Sequence, residues 1–355
     1  MSSIPDATGL TTKWLSAQLQ RAGFDVVVAH CHAEAIGTGQ IGKCLRLTLR
    51  YTGDAGDAPS SLIAKLPSDD PQSRMTGVML RNYLKEVRFY QQLQKQLSIR
   101  TPRCFYAEIN GEGPEFLLLL EDLHPAEQGD QLQGTNIDVA RAALTELVGL
   151  HAPSWNDDAL AAYEWLGAPA AVSTEALAEL YKAQLPGFME RYGAQLAQEE
   201  RDIIRAFGDG IGRIAAASLV PQALIHVDFR LDNLLINSQT RPPEVTTVDW
   251  QSITLGAPLN DVAYFIGAGL RAAVRRPAEQ QLVQDYYQAL CAAGVEGYGW
   301  DACWRDYRRG TFAGFSVTVV ASMLVQQTAR GDEMFLTMAR RHSRHALDHE
   351  AQGFL

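Results

Sequence analysis

The sequence predicts an α+β protein in two lobes, the first an antiparallel sheet with one long helix, the second mainly helical. Three observations carry this. The chain has 355 residues, more than one ordinary core holds. Strand-like runs set off by Gly and Pro turns dominate up to about residue 122. Helical periodicity dominates from about residue 136. The expected boundary falls at 122/123, giving lobes 1–122 and 123–355.

Residues 11–22 read as a helix with a capping Thr, with Trp14, Leu15 and Leu19 on one face and Gly23 as its stop. Residues 24–35 are Val-rich and strand-like, and 44–51 alternate at period two. Residues 52–60 have turn chemistry, and 62–66 form a short strand that Pro67 ends. Helical spacing of Met79, Tyr83, Val87, Tyr90 and Leu97 predicts one helix over 75–97. Strands at 103–109 and 115–120 flank the turn at 110–114. Helices are expected at 136–150, 174–192, 198–217, 259–270, 278–293, 300–328 and 331–350, with short strands only near Asp228 and Asp249.

A net charge of −10 excludes a general nucleic-acid binder, which needs basic stripes, and fits anionic membrane surfaces poorly. The five cysteines (31, 44, 104, 291 and 303) show no CxxC spacing, so neither a disulfide framework nor a zinc site is indicated. The N-terminus lacks a basic stretch followed by an apolar one, and the longest uncharged apolar run, 311–325, is shorter than a membrane span. Reduced thiols and a cytoplasmic location are expected, with no membrane partner.

The chemistry concentrates in residues 224–236, where two apolar runs bracket a polar loop holding His226, Asp228 and Asn233. Asp249 follows in Val-Asp-Trp-Gln. Phosphoryl transfer to a hydroxyl needs this set: one carboxylate to take the hydroxyl proton, and an amide oxygen with a second carboxylate for Mg²⁺. Asp228 is the expected base, Asn233 and Asp249 the expected metal ligands, and His226 a structural brace. Asp232 reads as a solvated charge, and Arg230 as a candidate for phosphate or substrate.

The run Gly37-Thr38-Gly39-Gln40-Ile41-Gly42 joins strand to strand. It therefore reads as a flap over ATP phosphates and not as a dinucleotide fingerprint, which opens a helix. Lys65 at a strand end is placed to neutralise phosphate, and Glu86 is its expected carboxylate partner. Glu121, Asp122 and Leu123 leave the sheet where backbone groups could serve the adenine edge, although the two carboxylates could instead cap the turn. Asp261 opens a helix and is expected to accept backbone N–H groups of the catalytic loop. Trp155, with Tyr163, Trp165, Phe188 and Tyr192, is a candidate for the acceptor pocket. His342, His345 and His349 share a helical face, from which a metal site could be argued, but they read as polar surface.

The pattern His226-x-Asp228-(x4)-Asn233 with Asp249-Trp250-Gln251 resembles the aminoglycoside phosphotransferase-like kinases, in particular the ecdysteroid kinase-like branch. Glu86-x-x-Phe89-Tyr90, Leu119-Leu120-Glu121-Asp122-Leu123 and Leu150-His151-Ala152 before Trp155 fit the same branch. The resemblance runs from about Gly37 to Asp261. It implies a bilobal protein-kinase-like fold, ATP with Mg²⁺ (GTP being the alternative nucleotide), and a small hydroxylated substrate. Val227 stands where protein kinases carry Arg, and no Ala-Pro-Glu segment follows Asp249. Both departures point away from a phosphorylation-regulated protein kinase. Few acidic residues lie near the C-terminus, which points away from amino-sugar antibiotics. A non-catalytic nucleotide-binding protein on the same fold is the competing reading, with a protein kinase third. Oligomeric state stays open.

Overall fold

Apolar residues at period two build the sheet of the first half. The computed structural model describes residues 4–37, 41–167, 174–217 and 221–355, which cluster into two compact units. The first comprises residues up to Lys95 and Thr101–His124. It holds α1 (Thr12–Arg21), β1 (Val28–Ile36), β2 (Gly42–Tyr51), β3 (Ser61–Pro67), α2 (Pro71–Met79), α3 (Asn82–Arg88), β4 (Cys104–Ile109) and β5 (Phe116–Glu121). The strands form one antiparallel sheet in the order β1-β2-β3-β5-β4. Leu45, Leu47 and Leu49 of β2 and Leu62, Ala64 and Leu66 of β3 face a core shared with Leu15 and Leu19 of α1. Thr11 caps α1 by accepting the Trp14 N–H at 3.3 Å. β5 lies inside the sheet and is buried from Phe116 to Leu120, so it reads as an unbroken apolar run.

The helix expected over 75–97 is broken. Arg81 adopts a left-handed conformation (φ 58°) between α2 and α3. The Tyr83 ring stands where a Cβ on Gly77 would lie, so α2 folds back closely on α3, and only glycine leaves room for it. Beyond α3 the helix tightens and loosens in short turns to Gln96.

The second unit comprises Gln96–Arg100 and Pro125–Leu355. Residues 96–100 join it although they precede the expected boundary. The Ser98 N–H donates to Gly149 O at 3.0 Å, and Arg100 O accepts from the Thr247 N–H at 2.9 Å. The unit holds β6 (Glu127–Gln128), α4 (Ile137–His151), α5 (Thr174–Tyr192), α6 (Gln198–Ala217), β7 (Ala223–Ile225), β8 (Leu234–Asn237), β9 (Glu244–Thr247), β10 (Thr254–Gly256), α7 (Leu259–Gly269), α8 (Ala272–Ala292), α9 (Trp300–Gly310), α10 (Ala313–Ser316), α11 (Ser322–Leu324) and α12 (Ala329–Asp348). β7 pairs with β10, and β8 lies between β6 and β9. The single helix expected over 300–328 is divided into α9, α10, a π-helical turn and α11. α5, α6, α7 and α12 with residues 312–320 enclose an apolar core, which contains Phe188 and Tyr192. Among the described residues no helix is long and apolar enough to cross a membrane.

Candidate active site

β7 ends at Ile225, and the chain turns through His226-Val227-Asp228 before a short 3-10 turn delivers Asn233 to β8. The turn depends on Val227 at φ 73°, a strained conformation for a β-branched residue. Asp261, in the first turn of α7, holds the strained segment. Its carboxylate accepts the N–H groups of His226 (2.6 Å) and Val227 (2.9 Å) and is itself buried. His151 at the end of α4 sets its Nε2 3.5 Å from the same carboxylate, while its Nδ1 meets the Tyr286 hydroxyl at 2.7 Å.

The Asp228 carboxylate sits in a cage of donors. Tyr264 Oη donates to Oδ1 at 2.8 Å, Asn233 Nδ2 to Oδ2 at 2.9 Å, and Arg230 Nε reaches both oxygens at 3.0 and 3.1 Å. Asn233 Nδ2 also donates to Asp228 O at 2.8 Å. The Asn233 amide nitrogen is thus committed, and its Oδ1 is the atom left for a cation. Burial pushes the Tyr264 phenol up, and the Asp228 charge pushes it further, so it stays a donor at neutral pH. Tyr264 lies one helical turn after Asp261 on α7, so one helix face holds the backbone of the loop and the carboxylate it presents. Sequence reasoning missed Tyr264; its only signal was the i, i+3 spacing from Asp261.

The second loop is braced to the first. His226 Nε2 meets Val248 O at 3.1 Å, the Val248 N–H donates to Asn233 O at 3.0 Å, and the His226 ring packs on Trp250 with centroids 5.0 Å apart. Asp249 follows in a left-handed conformation (φ 68°), with Gln251 Nε2 3.1 Å from its Oδ2. An amide oxygen and a carboxylate on cross-braced loops are hard donors of the kind Mg²⁺ takes.

Four expectations are corrected. Asp232 is not a solvated charge: it is buried, pairs with Arg230 Nη1 at 2.6 Å, lies 3.4 Å from Arg330 Nη2, and accepts the Gln131 N–H at 3.0 Å. A charge between apolar runs was drawn inward by two guanidinium groups. Phe188 and Tyr192 belong to the core of the second unit, and Trp165 is likewise buried, so these are not open pocket walls. His342 and His345 are fully buried, and His349 nearly so, because α12 packs its histidine face against α7, α8 and α9. The β-strand expected from residue 24 starts at Val28. Trp155 is half-buried and packs on Tyr298, with centroids 5.0 Å apart. Two further residues stand beside the loop: Met334 Sδ, 3.4 Å from Arg230 Nη1, and Arg330, both from the first turns of α12.

In the first unit, alternation along β3 turns Lys65 away from the Leu62-Ala64-Leu66 face, and its Nζ lies 2.7 Å from Glu86 Oε1 of α3. The Glu86 side chain is 2 % exposed and that of Lys65 12 %, so the pair is well shielded. Gly37 has φ 73°, and a Cβ on Gly42 would crowd Lys65 Cε at 3.2 Å. Ile41 O accepts the Tyr83 hydroxyl at 2.6 Å. Thr38, Gly39 and Gln40 of the expected flap lie outside the described residues. Glu121 Oε2 accepts the Arg103 N–H at 3.0 Å. Asp122 accepts Arg46 Nε at 2.7 Å and Ser61 Oγ at 2.8 Å. Burial opposes the Asp122 charge, yet Arg46 and Ser61 hold its carboxyl below the usual range. Both side chains are thus taken up within the unit. Leu123, which follows β5, has only its backbone to offer a base edge.

Residues 37–294 match the model of the ecdysteroid kinase-like family. The chain belongs to the ecdysteroid kinase-like family. A Caenorhabditis elegans protein named uncharacterized oxidoreductase dhs-27 is 19% identical over 321 residues, which is 81% of this chain and 38% of that protein. The chain therefore spans well under half the length of this relative. Among solved structures, a Ralstonia eutropha protein assigned to the aminoglycoside phosphotransferases superposes with a TM-score of 0.53 at 15% identity, over 95% of this chain and 98% of that one. Choline kinase from Cryptosporidium parvum gives 0.53 at 10% identity over 92% of each chain. The GDP complex of aminoglycoside 2'-phosphotransferase-IIIa gives 0.51 at 13% identity, over 94% and 99%. At these identities the likeness establishes the fold, which this family member shares with small-molecule kinases.

Proposed function

We propose that this ecdysteroid kinase-like protein transfers the γ-phosphate of ATP to a hydroxyl of a small molecule, with Asp228 as the base. The observation that supports this best is the caged Asp228 carboxylate on a loop cross-braced to the Asn233 and Asp249 pair. Tyr264, Asn233 and Arg230 fix its orientation, and the Arg230 Nε contact, shared between the two oxygens at 3.0 and 3.1 Å, is the one an arriving acceptor hydroxyl would displace. Asp228 takes the hydroxyl proton as the acceptor oxygen bonds to phosphorus and ADP leaves. Asn233 Oδ1 and the Asp249 carboxylate would hold Mg²⁺, which when bound offsets phosphate charge. Lys65, oriented by Glu86, would place its ammonium on the phosphates, with the Gly37–Gly42 segment as a backbone cover. The backbone of residues 121–123 would serve the adenine edge.

The named activities of structural relatives support a small hydroxylated substrate: choline and ethanolamine kinases both act on amino alcohols. The GDP complex of one relative keeps GTP as the alternative donor. Arg230, bound to both Asp228 and Asp232, would border the acceptor, whereas Trp155 has no described contact to this network.

The experiment is a panel of hydroxylated metabolites, steroids, choline and aminoglycosides with ATP or GTP and Mg²⁺. ADP or GDP release is read first, then a product heavier by one phosphoryl group. Tight ATP binding with no product from any alcohol would favour a non-catalytic nucleotide-binding protein. Phosphate entering protein but no metabolite would favour a protein kinase. Undiminished Mg²⁺-dependent turnover in Asp249→Ala would sink the metal assignment.

A further inference from the structure

A second cluster of chemistry lies on other elements of the same unit and takes no part in the proposed reaction. His345 and His349, four residues apart on α12, present one face. Their Nε2 atoms lie 2.6 and 2.9 Å from a single atom, Oε1 of Glu279 on α8. Tyr307 Oη of α9 is 2.5 Å from the same oxygen and 2.9 Å from His345 Nε2. The Glu279, His345 and His349 ligand atoms all fall within 4.8 Å of one another.

Protons alone satisfy this arrangement badly. A carboxylate oxygen has two lone pairs, and here three groups converge on one oxygen. If His345 carries its proton on Nε2, that oxygen is over-subscribed, and the buried Nδ1, which has no partner, keeps an unused lone pair. If the proton is on Nδ1, the Nε2 lone pair faces a carboxylate oxygen at 2.6 Å, which is repulsive unless both atoms bind one cation set to the side of them.

We propose that Glu279, His345 and His349 form a structural divalent-cation site of the zinc class, with Tyr307 Oη beside the fourth position. Two imidazoles and a carboxylate are a zinc donor set, and borderline-soft nitrogen ligands disfavour Mg²⁺ and Ca²⁺. Arg275 Nη1 binds the other Glu279 oxygen at 2.5 Å and also pairs with Asp348, which orients the carboxylate as an outer-shell partner would. His349 is the one ligand with appreciable exposure, 12 %, and marks the side from which an ion enters. The ion would tie α8 to the last turns of α12, alongside α9.

The test uses the full chain, stripped with chelator and dialysed against Zn²⁺. One zinc per chain is expected, with a rise in Tm that EDTA reverses, and Co²⁺ in its place should give the visible absorption of a tetrahedral site. His349→Ala, at the least buried of the three ligands, should weaken zinc binding at least about 100-fold, measured on folded apo protein below the variant's own Tm. Glu279→Gln should abolish the Co²⁺ spectrum, and Asp249→Ala should leave zinc uptake intact. No stoichiometric uptake by native protein, or uptake unaltered by His349→Ala, would overturn the proposal.

Discussion

Lys65 and Asp228 pose the same physical problem, a charged side chain held in one place, and the two units solve it differently. Lys65 stands on β3, a strand paired on both sides, where the backbone is already fixed by sheet hydrogen bonds. A buried carboxylate, that of Glu86, pairs with its ammonium. Asp228 stands on a loop whose backbone includes a left-handed valine. It needs Asp261 for the main chain and Tyr264, Asn233 and Arg230 for the carboxylate. A regular element supplies rigidity through its own ladder. A loop must import rigidity from neighbours, here chiefly from one face of α7.

The largest effect that sharpens this comparison is expected at Asp228 itself. Asp228→Asn should lower turnover by about 10²–10⁴-fold, the usual worth of a general base, with an unchanged Tm because Arg230 keeps Asp232. Steady-state kinetics beside thermal melts check both halves. Lys65→Met should cost about 3–5 kcal/mol by leaving Glu86 charged and buried without this partner. Adding Glu86→Gln should recover part of that loss, and denaturant unfolding of the single and double variants measures it. No recovery would mean that the pair does not act as a unit.

Tyr264→Phe removes one donor from the cage and should reduce kcat about 5- to 10-fold, equivalent to about 1 kcal/mol, with KM for ATP unchanged. A change confined to KM would show that Tyr264 does not position the carboxylate. The smallest effect is expected for Asp69→Asn. It breaks the Lys43–Asp69 pair at 2.8 Å, but Asp69 is 78 % exposed, so stability should move by less than about 0.5 kcal/mol. The contrast with Lys65→Met isolates burial as the cause, since the chemistry of the two pairs is alike.

The sheet and most helices were legible because their signals are local. Alternation in 44–51 and 62–66 and the capped, periodic run at 136–150 each lie within one element. The breaks at Arg81 and within 300–328 were not legible, because they answer to close packing such as that of Tyr83 on Gly77. In the site, His226, Asp228, Asn233 and Asp249 stood out through spacing. Tyr264 did not, since its partner Asp228 lies 36 residues away, and Asp232 did not, since Gln131 and Arg330, 101 and 98 residues away, join its neighbour Arg230 around it. The histidines of α12 show the same limit: their shared face was evident, but its burial was not.

By itself, then, the sequence determined which residue types recur at which short intervals, and with them the α+β character and the polar loop between two apolar runs. Tertiary structure alone decided which charges are buried. It set Asp232 between two arginines, gathered Glu279, His345 and His349 from two helices, and placed Tyr264 against Asp228. Spacing along a chain fixes the face a side chain occupies, whereas burial and pairing depend on what the rest of the chain brings to that face.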